Sequence, residues 1–105
     1  MKYSYERIDR FRKSIENVLA KKYDCLFTLG NIKVFKNKSG RIFVIDVCCM
    51  FGGVITCVHY AESLEWAREG VFMEDGQIIF TEKLNTDHAL DSVLRDIEEH
   101  ESYDN

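Results

Sequence analysis

The chain is predicted to be an α+β domain. Its core is a four-stranded antiparallel β-meander, with an N-terminal helix, a short helix after the fourth strand and a C-terminal helix packed on the sheet. Three observations predict this. Apolar residues recur at helical spacing near both ends. Between residues 25 and 60, β-branched and aromatic runs alternate with tight turns. Finally, 105 residues that are 46% apolar and 30% charged suit one domain, spanning 1–105, with a sizeable core.

Ser4 is placed to cap a first helix running to about Lys21. Ile8, Phe11, Ile15, Val18 and Leu19 form its apolar stripe, with Arg7, Arg10, Arg12 and Lys13 mostly off it. Lys21 and Lys22 suit the negative pole of the helix dipole. The runs CLFTL (25–29) and IKVFK (32–36) flank Gly30-Asn31, a two-residue hairpin signal. Asn37-Lys38-Ser39-Gly40 leads into RIFVIDVCCMF (41–51), and Gly52-Gly53 turns the chain into VITCVHY (54–60). Tight turns throughout favour a meander.

These turns imply registers in which 29 pairs with 32, 36 with 41 and 51 with 54. Propagated, they place Cys25, Phe27, Leu29, Ile32, Val34, Phe43, Ile45, Val47, Cys49, Val54, Thr56, Val58 and Tyr60 on one face, which the helices would cover. Ser63 caps a short helix at 64–69, stopped by Gly70. Val71-Phe72 and QIIFT (77–81) flank the turn signal Glu74-Asp75-Gly76, giving either a small hairpin or a loop plus one edge strand. Thr86 or Asp87 caps a last helix with Leu90, Val93, Leu94 and Ile97 on one side and Asp91, Asp96, Glu98 and Glu99 on the other, and ESYDN is expected to fray.

No apolar run approaches the roughly 20 residues of a membrane-spanning helix. The opening MKYSYERIDRFRKS lacks an apolar signal core, so a cytoplasmic protein is expected. Cys25, Cys48, Cys49 and Cys57 then read as reduced thiols, and no CxxC occurs. The predicted register sets Asp46 opposite His59 and Cys48 opposite Cys57 on the second sheet face. That constellation suggests a zinc site, a cross-strand disulfide, a Cys57/His59 nucleophile pair or simply small buried thiols beside an Asp46–His59 pair. Parallel projection from a flat ladder converges poorly on a metal, and nothing supplies an oxyanion hole. The last reading therefore carries most weight, and no metal or cofactor is expected.

Charge is lopsided. Residues 1–41 carry 11 Lys/Arg and 4 Asp/Glu, a balance of +7; residues 42–105 carry 3 and 14, a balance of −11. The basic half (Lys2, Arg7, Arg10, Arg12, Lys13, Lys21, Lys22, Lys33, Lys36, Lys38) has no accompanying nucleic-acid reader motif, so direct nucleic-acid binding is not expected. The acidic half concentrates Glu62, Glu65, Glu69, Glu74 and Asp75 around Trp66 and Phe72. Aromatic anchors among steering carboxylates suit a basic protein partner.

The segment YAESLEWAREGVFMEDGQIIF (60–80), followed by an acidic closing helix, resembles small bacterial immunity proteins of polymorphic-toxin and contact-dependent inhibition systems. The resemblance rests on Tyr60-Ala61-Glu62-Ser63 ending a strand, Ala67 in a short helix, and Phe72 before Glu74-Asp75-Gly76. It implies a non-catalytic cytosolic antitoxin that binds and neutralises one cognate toxin, through Glu62, Glu65, Trp66, Glu69, Phe72, Glu74 and Asp75 on the residue-level reading above. Alternative readings are a phage-encoded anti-CRISPR or other anti-defence protein, and a thiol- or metal-dependent enzyme using Asp46, Cys48, Cys57 and His59.

Overall fold

The computed structural model describes residues 4–50, 53–73, 78–81 and 89–103. The element order is α1 (Tyr5–Leu19), β1 (Asp24–Leu29), β2 (Ile32–Lys36), β3 (Ile42–Met50), β4 (Gly53–Ala61), α2 (Leu64–Arg68), β5 (Ile78–Thr81) and α3 (Ala89–Tyr103). The four meander strands and three helices are those the sequence predicts. The sheet is antiparallel throughout, in the order β1-β2-β3-β4-β5. β5 adds one edge strand beside β4, the second of the two arrangements expected after α2, and Met73 makes an isolated antiparallel bridge to Tyr60 ahead of it. The Thr86 and Asp87 caps and the Glu74-Asp75-Gly76 turn lie outside the described residues. α3 runs on to Tyr103, the third residue of the ESYDN segment, whose last two residues lie outside the described ones.

α1 begins where expected, with the Ser4 hydroxyl accepting from the Arg7 N–H. Its Ile15 and Leu19, with Val93, Leu94 and Ile97 of α3, cover one sheet face carrying Phe35, Phe43, Ile45, Val47, Val54, Val58 and Tyr60. A smaller cluster on the other face joins Val34, Ile42, Val44, Ala61 and Ala67, with Phe27, Leu29, Ile32 and Phe72 packed against it.

Two predicted registers are corrected. In the β3–β4 ladder Gly53 opposes Met50, so Ile45 faces Val58 and Phe43 faces Tyr60, a shift of two from the expected pairing. Two residues leave every side chain on its face, so apolar alternation cannot distinguish the registers. The observed one brings the Phe43 and Tyr60 rings to 6.3 Å.

The β2–β3 shift is of one residue and does change faces. Phe35 opposes Phe43, and Lys36 opposes Ile42. The Asn37 N–H donates to the Arg41 carbonyl, and the Arg41 N–H donates to Asn37 Oδ1, both at 2.9 Å. The pairing thus extends to Asn37 and Arg41 and leaves a three-residue loop closed by Gly40 at φ +92°, a backbone that favours glycine. Phe35 therefore enters the main core. Ile32 and Val34, with Phe27 and Leu29 of β1, move to the other face. A bulge between Cys25 and Phe27 then shifts the start of β1, leaving Cys25 opposite Phe35 but exposed.

Asn37 is buried, and its Oδ1 also accepts from the Ser39 hydroxyl at 2.7 Å. Asn37→Ala leaves the Arg41 N–H without that acceptor and is expected to cost about 1–3 kcal/mol. Urea unfolding checks this. A cost under about 0.5 kcal/mol would mean that the side chain does not set the turn.

Beyond Phe35 the β2–β3 ladder stops, and α1 takes over. The Lys33 N–H donates to Glu16 Oε2 at 3.0 Å, and Arg12 Nη1 donates to the Asn31 carbonyl at 3.2 Å. Arg12 also donates to Glu16 Oε2 (2.9 Å) and Asp9 Oδ1 (2.6 Å). Arg12, read from sequence as lying off the packed stripe, is only 6% exposed, and Glu16 only 1%. Their burial fits their task, which is to satisfy backbone groups that β3 does not reach.

Candidate functional site

Among the described residues, the segment following β4 holds four of the six exposed large hydrophobic side chains. The Ser63 hydroxyl accepts from the Trp66 N–H and starts α2; Gly70, at φ +77°, ends it. Ala67 is fully buried against the second cluster, which fixes how this short helix sits on the sheet. Leu64, Trp66, Val71 and Met73 remain exposed, Trp66 at 39%. Only two other large hydrophobic residues among those described, Tyr5 and Leu26, are as open, so the exposure is local to this segment. Glu62, Glu65 and Glu69 are exposed around it, the last two one helical turn apart.

Of the residues expected to form the site, Glu62, Glu65, Trp66 and Glu69 are thus brought together on the surface. Phe72 is half-buried and packs on the second cluster, supporting the segment from beneath. Glu74 and Asp75 lie outside the described residues. Sequence reasoning missed Leu64, Val71, Met73 and Arg41. The first three stand at positions where an apolar residue reads equally well as core.

Arg41 belongs to the site through the β2–β3 turn. Its guanidinium carbon lies 3.6 Å from the centroid of the buried Tyr60 ring, while Arg41 as a whole is exposed. Beside it runs a groove of about 540 Å³ between that turn (Ser39, Gly40, Arg41) and the β4–α2 junction (Glu62, Ser63, Leu64). Ile42, Tyr60, Ala61 and Met73 supply the rest of its lining.

The second constellation is arranged differently from expectation. Asp46 opposes Cys57, Cys48 opposes Ile55 and His59 opposes Val44. Asp46 and His59 meet diagonally, His59 Nε2 lying 3.9 Å from Asp46 Oδ2. None of the four cysteines forms a disulfide. Among the described residues no group of three or more His, Cys, Asp or Glu side chains is placed to hold a metal. Burial, then the Asp46 carboxylate and Cys49, push the Cys48 thiol above its ordinary range, which disfavours the nucleophilic thiolate.

The basic set disperses. Arg12 is in the buried network, Lys13 pairs with Asp9 at 3.0 Å and Lys22 with Glu98 of α3. Arg7, Arg10, Phe11 and Ser14 line a shallow depression of about 240 Å³ on α1. No helix among the described residues is long and apolar enough to cross a membrane. Comparison with family models, curated proteins and solved structures finds no match to this chain.

Proposed function

We propose that this protein is a non-catalytic inhibitor that binds and neutralises a partner protein in the cytoplasm, acting as an immunity protein that covers a basic surface of a bacterial toxin. The observation that carries the reading is the segment from Glu62 to Met73. There Leu64, Trp66, Val71 and Met73 are exposed together, with Glu62, Glu65 and Glu69 around them. Apolar anchors supply affinity, while surrounding carboxylates accelerate encounter with a cationic partner and repel wrong ones. The −11 balance of residues 42–105 extends that field beyond the patch. A toxin acting on nucleic acid presents a cationic site, and a negative surface competes there with phosphate.

The test has two stages. Copurification with mass spectrometry identifies the retained protein, and association is then followed by stopped flow at low and high salt. The Glu65→Lys/Glu69→Lys variant is expected to associate about tenfold or more slowly at low salt, converging on wild type at high salt. Both residues are exposed, so its unfolding free energy should stay within about 0.5 kcal/mol of wild type. Equal association rates would remove the electrostatic mechanism. Failure to retain any protein in stoichiometric amount would remove the inhibitor reading itself.

A further inference from the structure

We infer that copies of this chain dock head to tail, the Trp66 surface on α2 of one copy seating in the arginine-lined depression on α1 of the next. The inference goes beyond the inhibitor reading and does not need it. Charge and layering together select a second copy as the occupant.

The two surfaces complement each other. Arg7, Arg10, Phe11 and Ser14 recur at i, i+3, i+4 and i+7, so they share one stripe of α1, and they line a depression of about 240 Å³. That lining contains no carboxylate. Phe11 is half-buried against the main core and adds an apolar element. Arg10 carries the pairing: it is exposed and has no ion-pair partner among the described residues. On α2, Trp66 is 39% exposed, with Glu65 and Glu69 exposed beside it. Residues 62–69 hold three Glu and one Arg, a balance of −2. An indole face is the best aromatic partner for a guanidinium, and a carboxylate one helical turn away gives that guanidinium a charge-assisted hydrogen bond.

Layering sets the geometry of the contact. α1 packs on the sheet face that carries Phe43 and Ile45, whereas α2 packs through Ala67 on the face that carries Ile42 and Val44. The sheet stands between them, so one copy cannot bring its own two surfaces together. A contact between two copies engages α2 of one and α1 of the other and leaves the reverse pair open at the ends. Such a heterologous contact recruits further copies instead of closing at two. Each copy carries −4 overall, so net charge opposes encounter and the local pairing keeps the contact weak.

Sedimentation velocity of the full chain, from about ten micromolar to about one millimolar, covers the range of weak contacts. Mean mass should rise steadily past that of a dimer. In ¹⁵N-labelled protein, the amides that move with concentration should cluster at Arg7–Ser14 and Leu64–Gly70. Arg10→Glu and Glu65→Lys/Glu69→Lys should each weaken self-association about tenfold or more. All three residues are exposed, so unfolding midpoints should stay near wild type. Mixed together, the two variants should form a one-to-one dimer, because the first keeps its α2 surface and the second its α1 depression. A chain still monomeric at the highest concentration, a mass that levels off at the dimer, shifts clustered elsewhere, or a mixture that stays monomeric would each overturn the inference. The two claims separate cleanly. A monomeric chain that retains a partner protein would sink self-docking alone, and a self-associating chain that retains none would sink the inhibitor reading alone.

Discussion

Replacing Glu16 with alanine is expected to destabilise the fold by about 3–5 kcal/mol, a large share of the roughly 5–15 kcal/mol that holds a domain of this size together. The cause is what remains behind. Arg12, 6% exposed, loses its most deeply buried counter-charge and keeps only Asp9 and the Asn31 carbonyl. The Lys33 N–H loses the carboxylate that stands in for the missing β2–β3 ladder. An Arg12→Met/Glu16→Leu double variant removes both charges together. It should therefore cost less than Glu16→Ala, retaining mainly the penalty of about 1–3 kcal/mol for the abandoned Lys33 N–H. A double variant as damaged as the single one would show that lost packing, rather than an uncompensated charge, dominates.

The same residue carries a pH signature. Burial pushes the Glu16 carboxyl above its ordinary 4.5, against the opposing pull of the Lys33 N–H and the Arg12 guanidinium. The unfolded chain thus gives up this proton first. Glu16's contribution to stability then falls as pH rises from about 4.5 to its native value and is level beyond. Glu16→Gln lacks that fall, so its deficit against wild type should shrink across this window. Asp9 runs the other way and lower. Hydrogen bonds from Arg12 and Lys13 hold it below its ordinary 3.8, so what it contributes is present above that value and lost as pH drops through the native one. Urea midpoints of both proteins, taken from acid to neutral pH, separate the two. A Glu16→Gln deficit that grows with pH would contradict the assignment.

The Arg12–Glu16 pair also shows where sequence pattern stops being informative. Both are charged residues on an amphipathic helix, and periodicity assigns such residues to solvent. Nothing local records that β2 will diverge from β3 and need side-chain partners from α1. The β2–β3 register is hidden for a related reason. Asn37 reads as a turn residue, but its side chain accepts the Arg41 N–H and draws both positions into the ladder. One residue of difference exchanges Val34 for Phe35 in the main core. In β3–β4 the error of two was harmless to the faces, because alternation has a period of two. What was legible was what repeats: the stripes of α1 and α3, the strand runs and the caps at Ser4 and Ser63. The site was legible in its charges and in Trp66. Its groove was not, because Arg41 and Met73 reach it from opposite ends of β-pairings distant in sequence.

Phe43→Ala is expected to be at least as damaging as any surface change is mild. Phe43 is fully buried, opposite Phe35 in one ladder and Tyr60 in the other. Its ring stacks on Phe35 at 5.5 Å, meets Tyr23 edge-on at 5.7 Å and tilts against Tyr60 at 6.3 Å. Truncation to alanine costs about 3–5 kcal/mol through lost burial and the cavity left behind, with further loss from the aromatic pairs. For a domain near this size that corresponds to a fall of more than about 12 °C in Tm. Phe43→Leu keeps most of the volume, and should cost about 1–2 kcal/mol and remain measurable if the alanine variant does not fold. Leu26→Ala, on the exposed β1 bulge, serves as the control and should stay within about 0.5 kcal/mol of wild type.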